Sequence, residues 1–328
     1  DPHDDIGLLG LGSYVPERVM TNDDWSRLVD TTDEWITERT GIKTRRIADR
    51  SQSTVDLAEM AAKRALEDAG LEVDAIDELI VATDTPEVFV PDSAAYLQHR
   101  LGLGPVPAYD LAGSGCAGFL LALDVARARS RPDRRILVVG VELLTRLMNW
   151  EDRNTCVLFG DAAGAAVVGR GDDAVRILAA ASGTDGSQAD ILTLEAGGTR
   201  VPFDRDAAEK GLHHAIVMKG REVFREAVRH MSEVSLEVLE MAGLELDDVA
   251  LVVPHQANLR ILNAVAGRLG LDEEQMFVNV DEYGNTGSAS VPLALDQARA
   301  AGRIQPGDVV LLTSFGAGFH WTALVLQF

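Results

Sequence analysis

Three side chains in this sequence could carry out nucleophilic chemistry together, and the first of them is Cys116. It lies in Asp110-Leu-Ala-Gly-Ser-Gly-Cys116-Ala-Gly-Phe119, between a predicted strand (residues 106–111) and a predicted helix (residues 120–128). Free N–H groups and the positive end of a helix dipole favour a thiolate, so this position predicts a nucleophile able to attack a thioester. The stretch fits equally well a buried structural cysteine beside glycines that pack a helix against a strand.

The elements that must position such a residue form an α/β pattern. Apolar runs with strand character alternate with helical patterns along the whole chain, and no linker rich in proline or serine divides it. The predicted strands are residues 6–10, 79–83, 136–139, 163–168, 249–253 and 309–313.

An internal duplication with a spacing near 172 residues organises these elements. Four pairs of segments recur in the same order: residues 65–73 and 238–246, 100–103 and 268–271, 122–127 and 294–299, and the prolines at 132 and 306. Because four ordered matches at a nearly constant offset are hard to obtain by chance, we predict two similar α/β halves, residues 1–170 and 171–328.

The register of the duplication selects two further candidate residues. Counting along the matched segments, Cys116 corresponds to Ser288, and the strand end at residues 81–82 corresponds to residues 254–255. Matching loops of a pseudo-symmetric pair face each other across its axis. We therefore expect Cys116 from one half to meet His255 and Asn285 from the other half in one cleft, which favours the nucleophile over the structural cysteine.

The composition excludes several classes of protein. The chain has 328 residues, a formal net charge of −22 and two cysteines. Such an acidic chain is not expected to bind nucleic acid or to insert into a membrane, and no apolar run approaches the length of a membrane span. Two cysteines do not make a disulfide scaffold, and metal-ligand spacings are missing from the sequence, so we predict a cytoplasmic protein without a metal site.

The combination of motifs resembles β-ketoacyl-[acyl-carrier-protein] synthase III, the initiating condensing enzyme of bacterial type II fatty-acid synthesis. The resemblance covers nearly the whole chain and implies a thiolase-like fold, a five-layer αβαβα architecture and a homodimer. The motifs that carry it are Asp30-Thr-Thr-Asp-Glu-Trp-Ile36, Arg39-Thr-Gly-Ile42, Val253-Pro-His-Gln-Ala-Asn-Leu-Arg260, Asn285-Thr-Gly-Ser-Ala-Ser290 and Gly316-Ala-Gly318.

The resemblance also implies a chemistry and its residues. Cys116 is then the nucleophile that takes an acyl group from acyl-coenzyme A, and His255 and Asn285 bind the thioester oxygen of malonyl-acyl carrier protein as it decarboxylates. Neutral N–H donors suit that step because they stabilise an enolate oxygen without protonating carbon. The backbone N–H groups of Cys116 and Ala317 would form the oxyanion hole. The resemblance implies no cofactor, since acyl-coenzyme A and malonyl-carrier protein are substrates.

Binding residues for the two substrates follow from the same matches. The positions that match the coenzyme A site and its tunnel are Trp35, Arg39, Arg153, Gly220, Phe224, Ala257 and Asn258. The positions where the family uses basic residues for the acidic carrier protein are Arg225, Arg260 and Arg268. Phe89-Val-Pro-Asp92 resembles the loop that closes the partner subunit's acyl pocket, and the preferred primer stays open between acetyl, straight short-chain and branched groups.

Other members of the fold remain alternatives. A thiolase would need a second cysteine near the glycine turn at residues 314–319, where this sequence has none, and elongating enzymes use a second histidine where Asn285 stands. A related Cys/His/Asn acyltransferase or starter-unit synthase of secondary metabolism is the main rival. A non-catalytic subunit that binds carrier protein is disfavoured, because Cys116, His255 and Asn285 are all present.

Overall fold

A computed structural model describes residues 6–214 and 216–328 of the chain. Its strands are β1 (Ile6–Tyr14), β2 (Val19–Thr21), β3 (Thr44–Arg46), β4 (Glu78–Ala82), β5 (Ala108–Leu111), β6 (Ile136–Leu143), β7 (Asp161–Arg170), β8 (Val175–Thr184), β9 (Leu192–Leu194), β10 (Ile216–Met218), β11 (Val249–Pro254), β12 (Val309–Gly316) and β13 (His320–Gln327). Its helices are α1 (Asn22–Ser26), α2 (Asp33–Thr40), α3 (Thr54–Asp68), α4 (Ser93–Leu101), α5 (Gly118–Arg129), α6 (Arg205–Glu209), α7 (Gly220–Ala242), α8 (Leu259–Leu269), α9 (Val280–Tyr283) and α10 (Ser290–Ala300).

Nine strands form one continuous sheet surface in the order β11-β12-β13-β8-β1-β7-β6-β4-β5. Every residue of β4 and β6 is buried, as expected for strands covered on both faces. Helices α5 and α10 form a central layer that shares one apolar core with both halves of the sheet. Helices α3 and α4 cover one outer face and α7 and α8 cover the other, each over its own core. The result is the five-layer αβαβα arrangement.

The strand order is the same in the two halves of the chain. On one side of the β1–β8 junction the order is β1-β7-β6-β4-β5, and on the other side it is β8-β13-β12-β11, followed by a single bridge from Val252 to Met276. A 3₁₀ turn, Gly115–Ala117, precedes α5, and another, Gly287–Ala289, precedes α10. Cys116 and Ser288 occupy the middle of these two turns.

The two halves are joined at the centre of the sheet. Chain order places the junction between Arg170, the last residue of β7, and Val175, the first of β8. Strand β1 pairs with β8 through Gly7 to Arg176 and Leu8 to Val175. Main-chain pairing therefore crosses the junction between the two halves. The division of the chain into two domains at residue 170 stays a prediction.

Some sequence-based boundaries differ from the structure. Strand β6 continues four residues beyond its predicted end at residue 139 and carries Glu142, a charged residue within an apolar run. Strand β8 was not predicted, because its alanines, serine and glycine have little strand propensity. Cys156 is buried and lies in a turn ahead of β7, which begins at Asp161.

Helix α7 is the longest helix, and its two faces differ. Its apolar face packs on the sheet through residues such as Val234 and Val238, while charged side chains cover the opposite face. None of the helices in the described part of the chain is both long enough and apolar enough to cross a membrane.

Candidate active site

A cavity of about 950 Å³ brings the three candidate residues together. Cys116, His255 and Asn285 all line it, although Cys116 and Asn285 are 169 positions apart in the chain. The turns that carry Cys116 and His255 follow β5 and β11, at the carboxyl ends of parallel strands, where α/β sheets bind ligands. The expected meeting of the two halves in one cleft is therefore seen.

Cys116 is held at the first turn of the 3₁₀–α5 segment. Its carbonyl oxygen accepts a hydrogen bond from Ser314 Oγ at 2.7 Å, which connects the turn that carries Cys116 to β12. Its Sγ lies 3.8 Å from Asn285 Oδ1. The sulfur therefore faces the cavity from one half of the chain and contacts a side chain of the other half.

Two glycines bring a pair of backbone N–H groups together beside Cys116. A Cβ atom at Gly316 would lie only 2.7 Å from Cys116 N, and one at Gly115, whose φ is +55°, would lie 2.5 Å from Ala317 N. Only glycine allows such an approach of two backbones. The N–H groups of Cys116 and Ala317 thus lie in adjoining segments at the cavity, as an oxyanion hole for a tetrahedral intermediate requires.

The thiolate expected at Cys116 is not favoured in the empty cavity. Burial, and after it the neighbouring carboxyl groups of Glu142 and Asp84, raises the pKa of the Cys116 thiol above its ordinary value. Burial and two neighbouring carboxyl groups oppose ionisation of the thiol, whereas the partial positive charge of the helix terminus acts only within the first turn. Cys116 therefore rests as a neutral thiol.

His255 is a buried, neutral imidazole. It follows the last residue of β11, and its backbone N–H donates to Thr313 O of β12 at 2.8 Å. Burial lowers the pKa of His255 to about 3, so the ring does not carry a charge near neutral pH. A neutral ring can donate one hydrogen bond without supplying a proton to a carbanion.

Ser290 determines which nitrogen of His255 carries the hydrogen. Its Oγ lies 2.5 Å from His255 Nδ1 and accepts a hydrogen bond from Gln256 N at 3.3 Å. Since that N–H can only donate, the hydroxyl hydrogen of Ser290 is available for Nδ1. This network assigns the ring hydrogen to Nε2, the nitrogen that is not bonded to Ser290 and is available to a ligand in the cavity.

Replacing Ser290 by alanine should slow any reaction step that depends on the His255 Nε2–H donor about tenfold, the value of one hydrogen bond, because the Nε2–H tautomer is no longer selected. Imidazole ¹⁵N shifts should show a mixture of tautomers in Ser290→Ala, and Ser290→Thr should restore the single one. Ser235→Ala, which removes a buried serine bonded to its own helix, is the control. An unchanged tautomer in Ser290→Ala would contradict the assignment.

The amide of Asn285 is oriented by its own turn. Its backbone pairs with residues 158–160, with Asn285 N donating to Leu158 O at 2.8 Å and Gly160 N donating to Asn285 O at 3.0 Å. Its Oδ1 accepts a hydrogen bond from Gly287 N at 2.9 Å. Because the oxygen is already used, the Nδ2 group is the donor available to a ligand.

Most residues predicted to contact coenzyme A lie in the same cavity. Its wall includes Trp35, Arg39, Gly220, Phe224, Ala257 and Asn258. Arg153 is not part of that wall, but its guanidinium lies 5.0 Å from the centre of the Trp35 ring, and that of Arg39 lies 4.5 Å from it. Asn258 also caps α8, since its Oδ1 accepts from Ile261 N.

The three arginines predicted to bind a carrier protein are on helices α7 and α8. Arg260 lines the cavity and is exposed. Arg225 pairs with Glu226 at 2.9 Å, and Arg268 pairs with Glu233 at 3.0 Å. The Arg268–Glu233 pair is exposed on both sides, so it is weak and can exchange for another acidic partner. Glu226 is buried, but the guanidinium of Arg225 is largely exposed.

Comparison with known proteins identifies the family. The family 3-oxoacyl-[acyl-carrier-protein (ACP)] synthase III matches residues 109–186, and its C-terminal family matches residues 239–328. A β-ketoacyl-[acyl-carrier-protein] synthase III of Caldanaerobacter subterraneus is 48% identical, with 98% of this chain and 97% of the relative covered. The chain belongs to the β-ketoacyl-[acyl-carrier-protein] synthase III family.

Solved structures of synthase III proteins have the same fold. The 3-oxoacyl-[acyl-carrier-protein] synthase III of Aquifex aeolicus is 43% identical with a TM-score of 0.89, covering 98% of this chain and all of that one. A priming β-ketosynthase of the R1128 polyketide pathway is 37% identical with a TM-score of 0.90, covering 98% of this chain and 96% of that one. The thiolase-like fold inferred from the sequence is confirmed.

Sequence reasoning missed two residues of the cavity wall, Asp84 and Glu142, and the buried Ser290 that contacts His255. Asp84 follows β4 in Thr83-Asp84-Thr85, and a polar turn after a buried strand was the available signal. Glu142 could have been noticed as a carboxylate within an apolar strand. Ser290 belongs to a recognised motif, but only the structure reveals its contact with His255.

The described part of this synthase III chain contains no group of histidine, cysteine, aspartate and glutamate side chains arranged to hold a metal ion. The residues around Cys116 are hydrogen-bond donors, two carboxyl groups and apolar side chains. Such a cavity suits an acyl thioester.

Proposed function

We propose that this protein initiates fatty-acid synthesis by condensing an acyl primer with a malonyl group. Its acyltransferase class follows from the family to which it belongs. The observation that carries the proposal is the contact of Cys116 Sγ with Asn285 at 3.8 Å, in a cavity that His255 also lines. This arrangement places one nucleophile beside two neutral hydrogen-bond donors.

In the first half-reaction, Cys116 takes the acyl group from acyl-coenzyme A. The thiol attacks the thioester carbonyl, and the N–H groups of Cys116 and Ala317 stabilise the oxygen of the tetrahedral intermediate. Coenzyme A leaves with its thiol restored. The close approach of Gly316 to Cys116 N supports these roles.

In the second half-reaction, malonyl-acyl carrier protein loses carbon dioxide. Asn285 Nδ2 and His255 Nε2 donate to the thioester oxygen, which becomes an enolate oxygen when the carboxylate departs. The enolate carbon then attacks the acyl group on Cys116, giving 3-oxoacyl-carrier protein. The neutral state of His255 supports this role, because an imidazolium could protonate the carbanion.

The substrates are proposed to enter over α7 and α8. The indole of Trp35 can stack on the adenine of coenzyme A, and Arg39 and Arg153 beside it can pair with phosphates. The pantetheine arm would then pass Gly220, Phe224, Ala257 and Asn258. The basic residues proposed to dock the acidic carrier protein at the same entrance are Arg225, Arg260 and Arg268. Because the rest of the chain is acidic and repels the carrier protein, long-range electrostatics should direct it to these arginines.

The active assembly is proposed to be a homodimer in the cytoplasm. Phe89 and Val90, in the loop before α4, are 83% and 87% exposed. Adjacent apolar side chains that are this exposed commonly mark a protein interface. The proposed partner is a second copy, whose acyl pocket this loop would close.

A starter-unit synthase of polyketide synthesis is the second candidate. The likeness to the R1128 priming β-ketosynthase supports it, since that enzyme has the same fold at 37% identity. The two functions share their chemistry and differ in the primer and in the carrier protein that receives it.

An endpoint assay with purified protein, malonyl-acyl carrier protein and a panel of acyl-coenzyme A primers tests the function. The expected product is 3-oxoacyl-carrier protein, identified by mass, with acetyl or another short primer used best. A strong preference for a polyketide carrier protein would favour the second candidate. Acylation of Cys116 without loss of carbon dioxide from malonyl-carrier protein would reject both.

A further inference from the structure

Two buried carboxyl groups, those of Asp84 and Glu142, line the cavity beside Cys116 and have no part in the chemistry above. Both oxygens of Glu142 accept from the backbone N–H of Asp84, at 3.1 and 3.3 Å. Burial and the charge of Asp84 raise the pKa of Glu142 to about 8, and burial also raises the pKa of Asp84. Two such groups do not both ionise near neutral pH, so the pair holds one proton and can accept a second.

The pair is hydrogen-bonded to the segment before Cys116 on one side and to the turn that follows Asn285 on the other. Asp84 Oδ1 accepts from Gly113 N at 2.7 Å, three residues before Cys116. Glu142 Oε1 accepts from Ser288 Oγ at 2.9 Å. A carboxyl pair anchored in this way keeps its position relative to the sulfur.

The neutral thiol of Cys116 needs a proton acceptor in order to attack. His255 does not suit this step, because its Nδ1 is bonded to Ser290, its Nε2 carries the hydrogen, and burial lowers its pKa to about 3. The other ionisable residues in the described wall of the cavity are arginines, which have no proton-accepting atom. These are Arg39, Arg221 and Arg260.

We propose that the Asp84–Glu142 pair accepts the thiol proton of Cys116 during acylation and returns it to the sulfur of the departing coenzyme A. The S–H bond of Cys116 and the thioester C–S bond break, while a new C–S bond to Cys116 and the S–H bond of coenzyme A form. No oxidation or reduction takes place, and the pair ends in its starting state. The proposal rests on the proposed function.

The proposal is tested by the rate at which acetyl-coenzyme A acylates the Asp84→Asn and Glu142→Gln variants in a single turnover. Intact-protein mass spectrometry measures the acyl-enzyme at each time. Acylation should slow about 100-fold in each variant, the lower range of general base catalysis. Alkylation of Cys116 by iodoacetamide at a pH above about 8, where both carboxyl groups of the wild type are ionised, should instead become faster, because one repelling charge beside the thiolate is gone. Asp84→Glu should recover part of the acylation rate.

Two outcomes would overturn the proposal. If acylation and alkylation both become faster, the pair only repels the thiolate, and if acylation is unchanged, another group takes the proton. Asp161→Asn is the matched control, since Asp161 is a buried carboxyl bonded to Ala48 N outside the cavity. It should leave the acylation rate and its pH profile as in the wild type.

The wild-type enzyme gives a second test that needs no variant. The titratable groups that face the pair are Cys116, from the turn before α5, and His320, at the start of β13. Because one carboxyl of the pair must stay ionised to accept the proton, the acylation rate should fall as the pH is lowered below neutral through the raised pKa of Asp84, and not as Glu142 gains its proton near pH 8. A rate independent of pH over that range would refute the proposal.

The second half-reaction distinguishes this proposal from the proposed function. Enzyme preloaded with acetyl groups by long incubation is mixed with malonyl-carrier protein. The Asp84→Asn acyl-enzyme should condense at a rate similar to the wild type, because the thiol proton is no longer involved. Failure of the preloaded wild type would reject the function itself, whereas equal acylation rates would reject only the carboxyl pair.

Discussion

Replacing Cys116 by alanine is expected to remove both the acyl-enzyme and the 3-oxoacyl product, lowering the condensation rate by a factor of about 10⁴ or more. Without the sulfur, the described cavity wall has no thiol to hold the acyl group for the second half-reaction. Decarboxylation of malonyl-carrier protein should persist at a measurable rate, because His255 and Asn285 are untouched. Intact mass detects the adduct, and product mass and released carbon dioxide measure the two steps.

Cys156→Ala is the matched control for this experiment. Cys156 is fully buried and does not line the cavity, so its loss should leave acylation in place and cost only packing stability. An acyl adduct that survives in Cys116→Ala and disappears in Cys156→Ala would contradict the assignment of the nucleophile.

Replacing Asn285 by alanine is expected to slow decarboxylation by about 100- to 1,000-fold, the cost of removing one donor from an oxyanion site. The loss is specific because Oδ1 of Asn285 is held by Gly287 N–H, which leaves Nδ2 for the enolate oxygen. Acylation of Cys116 does not use this donor and should change much less. Measuring carbon dioxide release and single-turnover acylation on the same preparation separates the two steps.

Two further variants sharpen the test of Asn285. Asn285→Asp keeps the size of the side chain but replaces the donor by an acceptor, and should be as damaging as alanine. Asn149→Ala removes an exposed asparagine that does not line the cavity and should have no effect. If Asn285→Ala slowed acylation as much as decarboxylation, the residue would support the geometry of Cys116 and not the enolate.

The sequence predicted the architecture well because two periodic signals agreed. The alternation of apolar strands and helices indicated an α/β fold, and the duplication indicated how its halves face each other. The correspondence of Cys116 with Ser288 was informative, since the structure places both in 3₁₀ turns before the central helices. It led to the meeting of Cys116, His255 and Asn285 in one cavity.

The protonation states could not be read from the sequence. The helix terminus at Cys116 suggested a thiolate, but the pKa of a thiol depends on everything that surrounds it. Asp84 and Glu142 approach from turns and strands distant in the chain, and burial adds to their effect. The tautomer of His255 likewise depends on Ser290, which lies 35 positions away. Long-range contacts of this kind leave no local pattern.

The position of Ala317, far after Cys116 in the chain, has a consequence for synthesis of the protein in the cell. Cys116 emerges from the ribosome long before Gly316 and Ala317, which complete its surroundings, and before the strand that Ser314 belongs to. Domains fold largely as units during or after translation. A nascent chain therefore carries the thiol before the segment that approaches it, and we expect it not to consume acyl thioesters until residues 314–317 have been made and have folded against Cys116.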